Sequence, residues 1–363
     1  MKILVIRLKY IGDTLLSLPI LRSIKASQPD AEVHYLMYEH IAPLYQSDEG
    51  LEPGIDEIQV ITQEEKKNPI KYFFKLLELR AEEYDVVIDT LTVPATVLIG
   101  KMTGAKCFIG FDKGKARSKH YTERIIHVKN LSSNMQKLGL LKGLPFPVKP
   151  IRTFELHFSE KEQQQAKQLL AEKRSDEKTP IILISPIARI TGKLWPQENF
   201  TQLCHWLLEH TDCDILIAWG PSEQDTAMAM CQKIESPRVF CLDEGIELRQ
   251  FASIANQCAL YIGNDTGPRH ISEAAGIPTF TIFSPQFSKE TWIPNPGDEH
   301  QAIDLTDVLN LSQEEYAENI EEYRDRLEHY YTLITVDEVL KRLEPMLGFL
   351  GLLKTVIAKS KTG

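Results

Sequence analysis

A strand, a polar turn, a helix and a second strand follow one another between residues 259 and 285, and this order constrains the fold more than any other feature. An apolar run at 259–262 leads into the turn Asn264–Gly267, and helical spacing follows from His270 to Ala275. A second apolar run occupies residues 279–283. Such units build parallel sheets, whose ligands bind at the carboxyl ends of the strands. The stretch therefore predicts an α/β fold with a binding site at this turn.

The turn in this stretch has the properties of a phosphate site. Asp265 or Thr266 can cap the new helix, whose first N–H groups and positive dipole end then face the turn. His270 comes just inside the start of the helix, and we expect it to lean over the same turn. Helix starts of this kind bind anions, most often phosphate. The alternative is an ordinary capped turn without a ligand, which a lone Asp-Thr-Gly does not exclude.

The composition is that of a globular protein with two domains. The chain has 363 residues, of which 43% are hydrophobic and 25% are charged. Its formal net charge of −10 argues against a nucleic-acid-binding surface as the main function. The six cysteines are scattered without metal-ligand spacing, which favours reduced thiols in the cytoplasm.

The apolar segments predict neither secretion nor membrane insertion. The segment Ile3–Ile6 is too short for a signal peptide, and the residues after it are interrupted by the charges of Arg7, Lys9 and Asp13. No window reaches the roughly 18 uninterrupted apolar residues that a membrane-spanning helix needs. We therefore expect a cytoplasmic protein.

Strands alternate with helices along the whole chain, which is typical of doubly wound parallel sheets. The pattern divides into two halves, residues 1–157 and residues 158–363. We expect two Rossmann-like domains that face each other across a cleft, the usual place for a ligand. The predicted strands are 2–8, 31–38, 55–61, 85–89, 105–111 and 124–128 in the first half, and 180–184, 215–219, 238–242, 260–262 and 279–283 in the second.

The first half offers one candidate for chemistry, the turn Gly12-Asp13-Thr14 between the first strand and the first helix. A dinucleotide-binding fingerprint needs further glycines here, and the turn has Gly12 alone. The carboxylate of Asp13 would also repel a phosphate, so this turn is not a phosphate site. Asp13 is either a helix cap or a general base within reach of a substrate hydroxyl.

Two loops of the second half carry charged side chains at predicted strand ends. Arg189 and Lys193 lie in the loop 185–196, and two cations at a strand end suit a diphosphate. Glu223 lies in the loop 219–223, where a carboxylate can accept hydrogen bonds from both hydroxyls of a ribose. Taken alone, an isolated pair of cations is more commonly two solvated surface residues, and a residue like Glu223 is more commonly a helix-start residue.

Four motifs, taken in order, resemble glycosyltransferase family 9, the heptosyltransferases of lipopolysaccharide core assembly, which have the GT-B fold of two Rossmann-like domains. The motifs are Arg7…Gly12-Asp13…Leu16…Pro19, residues 85–89, Lys193…Trp195-Pro196, and residues 263–270 followed by Gly276…Pro278. They span most of the chain. The resemblance implies an inverting transfer of a sugar, most often heptose from ADP-heptose, onto a lipopolysaccharide core or related glycan acceptor.

The resemblance also assigns roles to individual residues. Asp13 matches the catalytic base, Glu223 matches the ribose contact, and Leu242 falls near the position that lines the nucleobase pocket. Arg269 replaces a less bulky residue of the family, and we expect it to touch the donor or the acceptor. The residues that match the diphosphate-binding set are Lys193, Asp265, Thr266, Gly267 and His270. In the loop before Lys193, Ala188 and Arg189 replace small hydroxylated residues of some members, so we expect the phosphate contacts there to differ.

The implied mechanism needs no cofactor beyond the nucleotide-sugar donor. Asp13 would deprotonate the acceptor hydroxyl, while Lys193 and the helix start at Thr266-Gly267 would stabilise the leaving diphosphate. We expect no metal ion, because the sequence has no D-x-D carboxylate cluster to hold one.

Two other classes of function remain open on the sequence. A GT-B sugar-nucleotide epimerase would use the same diphosphate site, but it needs acid and base residues on both faces of one sugar. A non-catalytic nucleotide-sugar-binding protein would keep the fold without the chemistry. The joint presence of Asp13 and Lys193 speaks against the second class.

The acidic chain finishes on a basic, apolar segment. A capping box at Thr335–Glu338 starts a helix, and residues 346–363 carry lysines without an acidic residue. One prediction is that this helix crosses back and packs on the first half. The other is an interfacial helix, through which the protein contacts the inner-membrane surface to reach a lipid-linked acceptor. The side chains that would then face lipid are Met346, Leu347, Phe349, Leu350, Leu352 and Leu353.

Overall fold

The structure is a computed structural model, and it describes residues 1–128, 131–174, 176–187, 192, 194–221, 223–243, 245–293 and 297–354. The chain forms two compact units. The predicted halves, 1–157 and 158–363, differ from these units at the boundary and in two short segments. The first unit comprises Met1–Glu162, Glu247–Ser253 and Glu290–Pro294, and the second comprises Gln163–Ile246, Ile254–Lys289 and Asn295–Gly363.

The first unit is built on a six-stranded parallel sheet in the order β5-β2-β1-β6-β7-β8. Its central strands are short apolar runs, and they are buried because helices cover both faces of such a sheet. All six predicted strands of this half are found. The strands are β1 (Lys2–Ile6), β2 (Glu32–Tyr38), β5 (Glu57–Ile61), β6 (Val86–Asp89), β7 (Cys107–Asp112) and β8 (Glu123–Ile126), with a small antiparallel pair, β3 (Gln46–Ser47) and β4 (Gly50–Leu51), between β2 and β5 in the chain.

The second unit has a parallel sheet of the same kind, in the order β11-β10-β9-β12-β13-β14. Its last strand was not predicted, because its sequence, His-Gln-Ala-Ile, has only two apolar residues. The strands are β9 (Ile181–Ser185), β10 (Asp214–Ile217), β11 (Val239–Phe240), β12 (Leu260–Asn264), β13 (Thr279–Ile282) and β14 (His300–Ile303).

Helices connect the strands along the chain. Short 3-10 helices span Glu39–Tyr45, Ala116–His120 and Gly139–Gly143. The α-helices are α1 (Ile11–Leu15), α2 (Leu18–Ser27), α3 (Gln63–Lys67), α4 (Pro69–Ala81), α5 (Pro94–Thr103), α6 (Ser133–Leu138), α7 (Glu160–Ala171), α8 (Gln197–His210), α9 (Gln224–Ile234), α10 (Leu248–Ala255), α11 (Gly267–Ala274), α12 (Lys289–Trp292), α13 (Leu305–Leu309), α14 (Gln313–Glu318), α15 (Ile320–Asp325), α16 (Leu327–Leu333) and α17 (Val336–Phe349).

Pro19 divides the helical pattern that follows the first strand. The spacing of apolar residues predicts one helix that is kinked or begins late at this proline. The structure has α1 and α2 as separate helices, with Pro19 in the first turn of α2. A proline is tolerated there because its missing N–H would have no intrahelical partner. The prediction is confirmed, and the break leaves α1 as a short helix that carries Asp13.

The segment 247–253 belongs to the first unit, and the ion pairs of Arg249 join it there. The buried side chain of Arg249 is 2.7 Å from Oε1 of Glu52 and 2.7 Å from Oε1 of Glu162. Glu52 is buried as well, and it is also paired with Arg22 at 3.4 Å, so these charges form a buried network. These ion pairs join residues that are far apart in the sequence.

The C-terminal helix α17 packs on the second unit, which contradicts the prediction that it crosses back to the first half. Leu343, Met346 and Leu347 are fully buried in the core of the second unit. An interfacial role for Met346 and Leu347 is therefore wrong as well, since neither can face lipid. Phe349 is exposed, and residues 355–363 lie outside the described part of the chain. None of the described helices combines the length and the hydrophobicity that a membrane crossing requires.

Candidate active site

Asp13 lies in the first turn of α1, directly beyond the carboxyl end of β1. It does not cap the helix, because the residue at the cap position is Tyr10, and no side chain caps the helix there. The carboxylate of Asp13 is buried and points at two cations. The helix-cap interpretation of Asp13 is therefore wrong.

Each carboxylate oxygen of Asp13 is bound by a different cation. Nη2 of Arg7 lies 2.5 Å from Oδ2, and Nζ of Lys137 lies 2.8 Å from Oδ1. Both cations are buried, and both have a second anchor. Arg7 donates to the carbonyl oxygen of Thr90 at 3.1 Å, and Lys137 donates to Oγ of Ser133 at 3.0 Å. The carboxylate is thus fixed in one orientation by elements from three regions of the chain.

The cations also determine the charge of Asp13. Burial raises the pKa of a carboxyl group, but here the charges of Lys137 and Arg7 outweigh burial and lower the pKa of Asp13 to about 2. Burial lowers the pKa of Lys137 to about 8, although the charge of Asp13 opposes that shift. At neutral pH the carboxylate is therefore anionic, and Lys137 gives up its proton more readily than an exposed lysine does.

A second buried carboxylate at the same sheet edge, Asp89, has a structural role. It accepts hydrogen bonds from the backbone N–H groups of Leu91 and Thr92, and from the hydroxyls of Thr96 and Tyr121. Burial raises the pKa of Asp89, although these donors oppose the shift. All of its donors are neutral and hold the loop before α5. Of these two carboxylates, Asp13 is the one that cations keep ionised.

Tyr10 introduces strain beside Asp13. Its φ of 60° and ψ of 125° lie in a region that residues other than glycine rarely adopt, and its ring is exposed. Such conformations cost on the order of 1–3 kcal/mol and concentrate at functional sites.

The predicted turn of the second unit joins β12 to α11, as the sequence indicates. A Cβ atom at Gly263 would lie 2.7 Å from the carbonyl oxygen of Ser185, so β12 and β9 approach too closely there for a larger residue. The side-chain oxygen of Asn264 accepts a hydrogen bond from the backbone N–H of Trp195 at 3.0 Å. These contacts tie the turn to the loop that leads from β9 to α8.

The N-terminus of α11 faces this turn. Thr266 is the cap residue, but its side chain does not cap the helix. Asp265 is buried beside it, and Nε2 of His270 lies 3.8 Å from Oδ1 of Asp265. The prediction that His270 leans over the turn is confirmed. Thr266 does not cap the N–H groups at the start of α11, where Gly267 and Arg269 carry N–H groups and Pro268 does not. Helix starts of this kind bind anions.

Arg269 is a structural residue. It is fully buried, and its guanidinium lies 3.2 Å from Oε2 of Glu273. Burial raises the pKa of Glu273, and the charge of Arg269 opposes that shift. Nη1 of Arg269 also donates to Nδ1 of His270 at 2.8 Å, which places the proton of a neutral imidazole on Nε2, toward Asp265. The expectation that Arg269 touches a substrate is wrong, because its side chain orients His270 instead.

Glu223 lies in the loop after β10, and Leu242 lies just after β11. Glu223 is the N-cap residue of α9, which confirms the helix-start interpretation, and its Oε2 accepts a hydrogen bond from the backbone N–H of Gly220 at 2.8 Å. The indole N–H of Trp219 donates to the carbonyl oxygen of Leu242 at 3.0 Å, which joins the two loops. Arg189 and Lys193 lie outside the described residues, but Gly192 between them accepts hydrogen bonds from Ser284 and Gln286, just beyond β13.

A family model, glycosyltransferase family 9 (heptosyltransferase), matches residues 74–323, which is more than half of the chain. The chain belongs to glycosyltransferase family 9. It is therefore a glycosyl-transfer enzyme, as the resemblance implied.

Known members are similar along most of the chain. Lipopolysaccharide heptosyltransferase 1 of Campylobacter coli is 28% identical, with 78% of this chain and 84% of the relative aligned. A family 9 glycosyl transferase of Veillonella parvula has a TM-score of 0.80 at 19% identity, covering 96% of this chain and 97% of that one. The Escherichia coli heptosyltransferase WaaC with ADP has a TM-score of 0.70 at 18% identity, covering 95% and 100%. WaaC with ADP-2-deoxy-2-fluoro heptose has a TM-score of 0.68 at 17% identity, covering 95% and 99%. These matches establish the GT-B fold that the sequence predicts.

For this glycosyltransferase, sequence reasoning missed two side chains at the candidate sites. Lys137 lies in a short polar helix without a motif, 124 positions from Asp13 in the chain, so only the fold brings them together. The sequence pattern places Trp219 at the end of the strand that precedes the Glu223 loop. That position at the carboxyl end of a predicted strand was the available signal.

The statement that the sequence has no D-x-D carboxylate cluster is wrong. A D-x-D pattern does occur, at Asp212-Cys213-Asp214. Asp214 is paired with Arg174 at 2.8 Å and begins β10, so it lies at the amino end of that strand, away from the candidate donor loops. Asp212 is 84% exposed. This pattern is not placed to hold a metal at the carboxyl ends of the strands.

Proposed function

We propose that this family 9 enzyme transfers heptose from ADP-heptose onto a lipopolysaccharide core acceptor, with inversion at the anomeric carbon. The observation that carries the proposal is the carboxylate of Asp13, buried, ionised and held by Arg7 and Lys137. The name of the Campylobacter coli relative and the ADP ligands of the Escherichia coli structures support the donor and the acceptor. The nucleotide sugar is then a co-substrate, and no further cofactor is proposed.

In this proposal Asp13 accepts the proton of the acceptor hydroxyl. A carboxylate with a pKa of about 2 is a weak base toward a free hydroxyl. As the hydroxyl oxygen bonds to the anomeric carbon, however, its proton becomes strongly acidic, and a weak base is then sufficient. The two cations keep Asp13 oriented for that late transfer, which is worth more than high basicity. Attack from the face opposite the leaving ADP gives inversion.

On the donor side, the proposal assigns the diphosphate to the turn before α11. The N–H group of Gly267 at the start of α11, with Thr266 and His270 beside it, stabilises the charge that develops on the leaving group. By family resemblance Lys193 adds a cation, Glu223 binds the ribose and Leu242 lines the nucleobase pocket. Arg189 is proposed as a second cation for the phosphates. With such donors the reaction does not need a metal, and activity should survive treatment with EDTA.

The location of the reaction follows from the acceptor. A nucleotide-sugar donor and a lipid-linked core acceptor meet at the cytoplasmic face of the inner membrane, and we propose that the enzyme works there. Nucleic acid has no part in this function.

A panel of nucleotide sugars tests the proposed donor. A ligand at about 100 times its Kd stabilises the folded state by about 2.7 kcal/mol, which a thermal-unfolding assay detects. We expect ADP and ADP-heptose to raise the melting temperature, and UDP-sugars to have little effect. ADP release should then require a heptose-free lipopolysaccharide acceptor. ADP release that is independent of acceptor, together with an epimerised sugar, would favour an epimerase. Binding without any turnover would favour a non-catalytic protein.

A further inference from the structure

His270, in the first turn of α11, is held by the residue before it. Nη1 of Arg269 donates a hydrogen bond to Nδ1 of His270 at 2.8 Å, and an arginine side chain has no acceptor of its own. Nδ1 must therefore keep its lone pair, and a neutral imidazole carries its proton on Nε2. A second proton, on Nδ1, would break this hydrogen bond and place two positive charges side by side. The contact thus favours one tautomer and one charge state of His270.

The positive charge beside His270 is permanent and fixed in place. Arg269 is fully buried, and a guanidinium does not lose its proton in proteins. Its Nη2 lies 3.2 Å from Oε2 of Glu273, one helical turn later. Glu273 is buried as well, and burial raises its pKa while the charge of Arg269 opposes that shift. Glu273, Arg269 and His270 therefore form a row of contacts that leads to the turn before α11.

Stability alone does not account for this buried ion pair. Among the described residues, neither carboxylate oxygen of Glu273 has a hydrogen-bond partner, and Nε and Nη2 of Arg269 have none either. A buried ion pair without further hydrogen bonds returns less than its desolvation costs, and apolar residues of similar size are often at least as stable. The hydrogen bond that Arg269 does make goes to His270, which points to a role there.

The negative charge of Asp265 opposes the effect of Arg269 on His270. Nε2 of His270 lies 3.8 Å from Oδ1 of Asp265, and this charge favours an imidazolium. The guanidinium is closer, at 2.8 Å, and the positive end of the α11 dipole adds to its effect. Three further titratable groups sense Arg269 or Asp265, but burial raises the pKa of the two tyrosines and lowers the pKa of the histidine, so all three are uncharged at neutral pH. They are Tyr261 of β12, His300 of β14 and Tyr331 of α16.

We propose that Arg269 and Glu273 are positioning residues that hold His270 as a neutral Nε2–H donor for the diphosphate of the donor. Arg269 fixes the tautomer and excludes the second proton, and Glu273 orients Arg269 and balances its charge. A fixed neutral imidazole stabilises a developing anion by hydrogen bonding, and its contact then stays the same across the pH range in which histidines titrate. The state of His270 belongs to the free enzyme, whereas the diphosphate as its ligand rests on the proposed function.

The first test is the imidazole of His270 in the full-length protein without ligand. Nitrogen-15 NMR distinguishes the two tautomers and the imidazolium, and His270→Asn identifies the signal by its absence. We expect wild type to show the neutral Nε2–H form at both pH 8 and pH 6. Arg269→Met/Glu273→Leu removes both charges together. In this variant we expect a mixture of tautomers at pH 8 and mainly imidazolium at pH 6, because Asp265 is then unopposed.

The second test is the affinity for ADP, measured by titration calorimetry at the same two pH values. The ratio of the Kd of the variant to that of wild type removes the protonation of ADP itself from the comparison. For Arg269→Met/Glu273→Leu we expect a ratio of about ten at pH 8, where the donor is no longer fixed. At pH 6 the ratio should fall below about three, because the imidazolium also attracts the diphosphate. Damage to the fold would weaken binding by the same factor at both pH values.

Two variants serve as controls. Arg269→Lys keeps the charge and a donor, and it should keep the neutral form of His270 at pH 6. Arg174→Met/Asp214→Leu removes another ion pair of the second unit, whose members lie 2.8 Å apart at the amino end of β10. It should change neither the His270 signal nor the affinity for ADP. Arg269→Gln/Glu273→Gln replaces the first variant if urea unfolding shows that variant to be unstable.

Two results would overturn the proposal. One is an imidazolium or an Nδ1–H tautomer of His270 in wild type at pH 6. The other is a Kd ratio that is the same at pH 8 and pH 6. Wild type that binds ADP at neither pH would count against the proposed donor, and the NMR signal would still decide the state of His270.

Discussion

Nζ of Lys137 lies 2.8 Å from Oδ1 of Asp13, and the opposite carboxylate oxygen is bound by Arg7. All three charged groups are buried. The arrangement makes the proposed base inseparable from its two cations, and it determines how the base must be tested by mutation.

Replacing Asp13 alone removes the negative charge and leaves two buried cations without it. We expect Asp13→Asn to lose transfer by at least about 10²–10⁴-fold, and also to lose about 3–5 kcal/mol of stability. The double variant Asp13→Asn/Lys137→Met restores the charge balance of the site. It should regain much of the stability, measured by urea unfolding, without regaining transfer. Transfer at about a tenth of the wild-type rate in either variant would mean that Asp13 is not the base.

Lys137 can be tested as a positioning residue through the pH profile. Lys137→Met removes the charge that depresses the pKa of Asp13, and burial then raises that pKa. The acid limb of the kcat/KM profile should move to higher pH, and kcat at neutral pH should fall by up to about 100-fold because the carboxylate loses its orientation. Lys137→Arg keeps the charge and should keep the limb near its wild-type position. An unchanged profile in Lys137→Met would contradict this role.

Lys193 stays a prediction from the sequence. Lys193→Ala should weaken ADP binding by about 1.5–3 kcal/mol, the usual contribution of a charge-assisted phosphate contact. Titration calorimetry measures this directly. Lys233→Ala, which removes an exposed lysine of the second unit, is the control. If both variants bind ADP equally, Lys193 is a solvated surface cation.

We expect His300 to make the stability of the second unit depend on pH. Burial, with a smaller effect of the charge of Arg269, lowers the pKa of His300 from 6.5 to about 4. Between these values the unfolded chain binds the proton and the folded chain does not. Above pH 6.5 His300 is neutral in both states and does not lower the free energy of unfolding. As the pH falls from 6.5 toward 4, protonation of the unfolded chain lowers the free energy of unfolding. We expect wild type to lose about 2 kcal/mol more stability than His300→Gln between about pH 7 and pH 5. Equal losses in urea unfolding would contradict the shift.

The sequence predicted those features that depend on neighbouring residues. Apolar runs located the strands, and Pro19 located the break between the first two helices, because steric effects act over one turn. Side-chain positions that depend on packing against residues distant in the chain could not be predicted from the sequence. Nothing local distinguishes Lys137 from a solvated lysine, and nothing in Arg269 itself shows that its guanidinium is buried against Glu273.

The sequence alone does not show which apolar side chains are buried and which are exposed. Met346 and Leu347 looked like a lipid-facing surface, but they fill the core of the second unit. Phe73 and Phe74 are apolar as well, but they are exposed on α4. The hydrophobic effect favours burial of an apolar side chain, but only the fold determines which residues it packs against.

The stereochemistry of the product is the most direct test of inverting transfer with Asp13 as the base. Purified enzyme is incubated with ADP-heptose and a heptose-free core acceptor in the presence of EDTA, and NMR determines the anomeric configuration of the transferred sugar. Inverting transfer with Asp13 as the base predicts an anomeric configuration opposite to that of the donor, and no product from the stable double variant Asp13→Asn/Lys137→Met. A product with the donor's configuration, or a product formed by that variant, would contradict Asp13 as the base of an inverting transfer.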